Sequence, residues 1–178
     1  MRRKKKEKLA HENFWATFAY FNFKSSIKVV PTHVKCANFR LYGACDEDLW
    51  RMVQVIETVD QLDLDETEVT NEGMKHLIQL KSLCELRLKG CWAITNAAME
   101  YICQINGLEL LHLHGTQINT DGLDQIGELK SLKRLLIEAN REDPKLEDIY
   151  ASLPKDCEMT VNYRCYPFQK PDKFNPYL

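Results

Sequence analysis

The 178-residue chain is 44% hydrophobic and 28% charged, the composition of a soluble globular protein of one domain, and its formal net charge of −2 carries no field that argues for nucleic acid or an anionic membrane. Its seven cysteines, an odd number with no CxxC pair, argue against a disulfide framework and a zinc site; reduced thiols in a cytoplasmic, reducing compartment are the simpler reading. No window approaches the roughly 20 consecutive apolar residues of a transmembrane helix, so stable membrane insertion is not expected.

Residues 1–12 form a basic segment, with six Lys or Arg side chains in MRRKKKEK, and read as solvated and disordered. A positive start suits a signal peptide, but His11, Glu12, Asn13, Asn22 and Lys24 interrupt the next stretch of chain, so no clean apolar region or cleavage site is present. Residues 13–35 carry Phe14, Trp15, Phe18 and Phe21 on one helical face. A stack of repeats leaves the edge of its first unit raw, and these aromatics are expected to cap it; a free amphipathic helix for a membrane or partner is the alternative.

Residues 36–140 repeat. Cys36, Val59, Leu83, Leu108 and Leu132 recur at spacings of 23, 24, 25 and 24. Each is followed by an inward pair: Phe39/Leu41, Leu62/Leu64, Leu86/Leu88, Leu111/Leu113 and Leu135/Ile137. Helix positions keep step, as in Leu49, Met74, Met99 and Leu123. Units this short cannot bury their apolar side alone, so stacking into one core, with four or five strands in a parallel sheet, is expected.

The turns keep the same beat. Thr67, Cys91, Thr116 and Asn140 stand eight residues after the first position, small side chains able to bond loop backbone. Thr70, Thr95 and Asn119 are natural helix N-caps, and Asp46, Glu72 and Asp121 place negative charge in a first helical turn. After Ile137 the period weakens. Residues 141–165 read as a C-terminal cap, with a helix near Pro144 and a strand-like CEMTVNY, and 166–178 as a Pro-rich tail mostly outside the sheet.

Between the inward leucines, alternation sends side chains to the opposite face of the sheet. The expected rows there are Arg40, Asp63, Arg87, His112, Leu136 and, beside it, Tyr42, Asp65, Lys89, His114, Glu138. One reading is a self-satisfied charge ladder; the other is a partner-binding surface built from exposed Arg40, Tyr42, Asp63, Asp65, Arg87, Lys89, His112 and His114. Metal ligation by His112 and His114 is disfavoured by the cationic Arg87 and Lys89 on the next strand. No serine lies on the expected face to serve as nucleophile, and no Gly-rich phosphate loop is present, so neither catalytic residues nor a cofactor are expected.

The stretch LCELRLKGCWAITNAAMEYI, with Cys91 in the turn and Ile94-Thr95 before the helix, resembles the cysteine-containing class of leucine-rich repeats. That class is best known from F-box substrate receptors of ubiquitin ligases, with related repeats in bacterial proteins. The resemblance implies an α/β leucine-rich-repeat solenoid, with the parallel sheet on a concave face and short helices on the convex one. The arrangement is also, faintly, similar to the small mitochondrial coupling factor B (subunit s) family, a short repeat domain behind an aromatic N-terminal segment. Taken together, the expectation is a non-enzymatic protein-binding module, monomeric when unbound. Its alternatives are an inhibitor or immunity-type protein that neutralises a toxin or enzyme, and a substrate receptor or assembly factor of a larger complex.

Overall fold

The computed structural model describes residues 2–23, 29–40 and 43–168, with backbone alone for residues 2–6. The fold is α/β. Helix α1 (Arg2–Phe23) precedes a seven-stranded sheet formed by β1 (His33–Asn38), β2 (Thr58–Asp63), β3 (Ser82–Arg87), β4 (Leu110–His112), β5 (Arg134–Ile137), β6 (Glu158–Val161) and β7 (Arg164–Tyr166). The strands lie side by side in sequence order, β1 to β6 parallel and β7 antiparallel to β6. Short helical segments join them: α2 (Asp46–Val53), α3 (Asn71–Leu77), α4 (Met99–Ile102), 3-10 turns at Thr120–Leu123 and Ile126–Glu128, and α5 (Lys145–Ser152).

Leucines at alternate strand positions explain why the layers meet. Leu62, Leu64, Leu86, Leu88 and Leu111 are fully buried, and Leu49, Met52, Met74, Leu77 and Ile102 reach them from the helices. Burial of this size, about 1.5–3 kcal/mol for each large apolar side chain, offsets the weak intrinsic helicity of such short segments. The core runs on past Ile137: Met159 and Val161 pair with Leu135 and Ile137 and are buried like them. The sheet therefore extends through the segment read as a cap.

Two expectations at the N-terminal end are corrected. The first repeat is displaced by two residues, because Val34 rather than Cys36 pairs with Val59, Ala37 pairs with Leu62, and Asn38 pairs with Asp63. The inward residues are Val34, Ala37 and Phe39, all buried; Leu41 and Tyr42 lie outside the described residues. Small Ala37 holds the place expected for Phe39, opposite Leu62. The basic segment is also helical, since α1 starts at Arg2. Lys, Arg and Glu are good helix formers, and the aromatic half anchors the helix: Phe14 and Phe18 are buried with ring centroids 6.4 and 5.6 Å from Phe39. At the other end Tyr166 belongs to β7, not to a detached tail; residues 169–178 lie outside the described residues.

Side chains tie consecutive units together. In the turns, Cys91 Sγ donates to Leu64 O of the preceding unit (3.0 Å), while Thr67 Oγ1 and Thr116 Oγ1 donate within their own units, to Leu64 O and Leu113 O (2.7 Å each). At the helix starts a second series links neighbours. Asp46 accepts from Thr70 N and Oγ1 (2.8 and 2.7 Å), Asn71 exchanges two bonds with Thr95 (2.9 and 2.8 Å), Asn96 does the same with Asn119 (3.0 and 2.8 Å), and Thr120 donates to Asp143 (2.6 Å). Thr70 and Asn119 also cap their own helical turns, whereas the Thr95 side chain is used sideways instead. Glycine makes room for this series, since a Cβ at Gly73 would come within 2.4 Å of Asp46 Oδ1 and one at Gly122 within 2.4 Å of Asn96 Oδ1.

Candidate functional site on the open face of the sheet

The face of the sheet turned away from the core is where the sequence places its candidate residues, and the pairing fixes its rows. Asn38, Asp63, Arg87, His112, Leu136 and Thr160 form one row across six strands. Arg40 moves, by the two-residue displacement of the first strand, to the row that continues through Asp65, Lys89 and His114. Strand spacing of about 4.8 Å then brings successive side chains of a row into contact range.

Over β1 to β3 the row residues are polar or charged and meet water. Asp63 is half-buried and accepts from Asp65 N (3.0 Å) and Asn38 Nδ2 (3.4 Å). Arg87 and Lys89 are likewise half-buried, and Glu85 stands 3.7 Å from Arg87 and 3.9 Å from Arg134. Asp65 does not meet the expectation of exposure. At 5% exposed it is buried, with Oδ1 taking Lys89 N at 2.9 Å, and burial, with Asp63 adding to it, raises its pKa above the ordinary carboxylate value. Its role is to hold the loop after β3, so it has little surface to offer a partner.

The rim beside these strands carries a local oddity. Gly43, Glu66, Gly90 and Gly115, one per turn, all have left-handed backbone, with φ of 61°, 61°, 75° and 70°. Three are glycine, for which this region is open; Glu66 is not, at a cost of roughly 1 kcal/mol. Its carboxylate receives Arg40 Nη2 at 2.7 Å, so the exception plants an ion pair on the rim. Trp92, 68% exposed, follows Cys91 on the same rim.

At β4 the face closes, while on β5 and β6 Leu136 and Thr160 stay half-buried and Arg134 exposed. His112 and His114, expected to be exposed, are 8% and 2% exposed, and Leu110 is buried beside them. The rings are hydrogen-bonded to each other, Nε2 of His112 to Nδ1 of His114 at 3.0 Å. Tyr163 covers His114, stacked on it with centroids 4.2 Å apart and planes 7° from parallel. It arrives from the β6–β7 turn, where Asn162 and Tyr163 have φ of 49° and 63°, the two left-handed residues of a tight hairpin. Burial, then the charge of the other histidine and of Arg87, pushes His112 down to about 4; burial also lowers His114. Both are neutral at physiological pH.

Of the eight candidates, then, Arg40, Asp63, Arg87 and Lys89 share an accessible patch, Asp65 supports it from below, and His112 and His114 form a separate covered pair. Tyr42 lies outside the described residues. Sequence reasoning passed over Tyr163 and Trp92; the dipeptide Asn162-Tyr163 between strand-like residues was the turn signal available for the first. Among the described residues no group of three or more His, Cys, Asp or Glu side chains is arranged to hold a metal ion. No helix of the described residues is long and apolar enough to cross a membrane.

The chain matches no protein-family model and no curated protein.

Proposed function

We propose that this chain is a leucine-rich-repeat solenoid that acts as a non-enzymatic binding module, holding one partner protein on the open face of its sheet over β1 to β3. The observation that carries the reading is the patch made by Asp63 and Arg87 in one row and Lys89 in the next, with Arg40 on its rim, held half-exposed or exposed above strands whose other face is entirely core. Two further features support the solenoid: six strands in sequence order, each parallel to the next, and turn and helix-start bonds repeated from unit to unit. Side chains fixed in this way bind with little loss of freedom, and mixed charge confers specificity on a partner of complementary pattern. Arg87 is central, because it lies beside Asp63 in the row and its only close carboxylate among the described residues, Glu85, is 3.7 Å away, too long for a strong pair.

Affinity capture with the intact chain supplies the partner, and titration tests the site. Arg87→Glu is expected to weaken binding at least tenfold, about 1.4 kcal/mol, with an unchanged circular-dichroism spectrum. The control, Glu100→Lys, lies on α4, away from this face, and should bind as the parent chain does. Loss of binding in the control but not in Arg87→Glu moves the site to the helical side or a terminus and ends the proposal.

A further inference from the structure

The covered histidine pair combines three features that make a device of it. The hydrogen bond between the rings uses one N–H and one lone pair, so it survives only while at least one ring stays neutral. Nε2 of His114 is buried with no partner, so a proton gained there has no acceptor waiting. The Tyr163 ring that seals the site is itself 67% exposed and stands in a left-handed conformation that tyrosine does not favour. Its turn is held by Asn162, which exchanges bonds with Ala139 (3.1 and 2.7 Å) and donates from its backbone to Ile137 O (3.1 Å), and by the stack on His114.

We propose that His112, His114 and Tyr163 form an acid-sensitive latch, in which the neutral imidazole pair holds the β6–β7 hairpin closed on the sheet and proton uptake by the pair releases it. The groups that face the pair come from every neighbouring strand. Arg87 and Lys89 on the β3 side oppose a proton. Asp63 on β2 favours one on His112, and Glu138 after β5 favours one on His114; Tyr163 closes the top. A cationic imidazole would gain from the face of the tyrosine ring. For His114, at 2% exposure with Nε2 unbonded and Lys89 nearby, the loss of hydration outweighs that gain. The histidines therefore take up protons readily only when the lid lifts and water enters.

Both histidines sit below the ordinary value of 6.5 in the closed form, so their contribution to closure is full above that value and is lost as pH falls toward about 4. Opening would uncover His114 and admit water to His112 and Leu110, so that this part of the face changes from sealed to open and cationic on acidification.

Amide hydrogen exchange of the full chain, corrected for the intrinsic pH dependence of exchange, tests the latch. Between about pH 7 and about pH 4.5, protection across Glu158–Val161 and Arg164–Tyr166 is expected to fall over tenfold more than across Thr58–Asp63 and Ser82–Arg87. Equal losses in all four strands mean global acid unfolding and overturn the proposal, as does an unchanged hairpin. The double variant His112→Leu/His114→Phe, which keeps apolar bulk and a ring under Tyr163, should abolish the excess loss; an excess that persists also overturns it. Should that variant fail to fold, Tyr163→Ala decides by NMR titration. Without its lid, the His114 ring resonances should titrate closer to 6.5 than in the parent chain, and an unmoved midpoint sinks the idea.

Discussion

The two halves of the open face use the same backbone in the same register, yet β1 to β3 present half-exposed Asp63, Arg87 and Lys89 while β4 and the turn after it hide Leu110, His112 and His114. Alternation along a strand decides which side of the sheet a residue faces, and it does so equally well in both halves. Access to water is decided separately, by whatever later chain lies on top. In the second half that is Tyr163, carried over His114 by a turn two strands away. Acid acts on the halves with opposite sign as well, since burial raises the pKa of Asp65 in one and lowers those of the histidines in the other.

The sharpest way to break this comparison is to damage one half from its end. Deletion of residues 1–30 removes Phe14 and Phe18 from the core beneath β1, and should cost about 3 to 6 kcal/mol and much of the soluble yield. Deletion of residues 1–8 should change stability by less than about 0.5 kcal/mol. Thermal midpoints of both truncations measure it; a 1–30 deletion as stable as the parent would show that α1 does not hold the first half together.

Next in size are Leu86→Ala under β3 and Leu111→Ala under β4. Each should lose about 2 to 5 kcal/mol in chemical denaturation, and by similar amounts, because one core underlies both halves. Lys81→Ala, whose ion pair with Glu57 is largely exposed, is the reference at under about 0.5 kcal/mol. Leucine losses that differ severalfold would mean that the halves are energetically distinct below the surface as well as above it.

The smallest effect separates the halves by pH. Asp65 binds its proton more tightly in the folded chain than in the unfolded one, so its contribution to stability is full below the unfolded value of 3.8 and is lost as pH rises through the folded pKa. Asp65→Asn keeps an oxygen for Lys89 N and removes the buried charge. Relative to the parent it should therefore be more stable at neutral pH than in acid, and denaturation curves at the two pH values check the direction. The opposite trend would show that Asp65 is stabilised as a carboxylate by its surroundings.

How much of this was legible in the sequence depends on how far away the deciding residue lies. Leu62, Leu64, Leu86, Leu88 and Leu111 announced the core because leucines at fixed spacing need only their own repeat to be read. Thr67, Cys91 and Thr116 announced the turns for the same reason. The first strand misled by two residues because alanine at position 37 is a weak signal, and Cys36 looked like the first apolar position. Thr70, Thr95 and Asn119 were readable as N-caps and Asp46 as a first-turn acid, but their sideways bonds, with Asn71 and Asn96 as partners, were not, since that role exists only between units. The burial of His112 and His114 needed Tyr163, and nothing in their own strand foretold it.

Those sideways bonds have a mechanical consequence. Every described strand is hydrogen-bonded only to strands beside it in the chain, and each helix start from Asp46 to Thr120 grips the next unit along through one side-chain pair. A pull on the chain ends is therefore borne at the outermost seam first, where a few bonds part while the seams further in stay unloaded. Such a molecule peels a unit at a time under low force, and its grip on anything bound across several strands would stiffen it against that peeling.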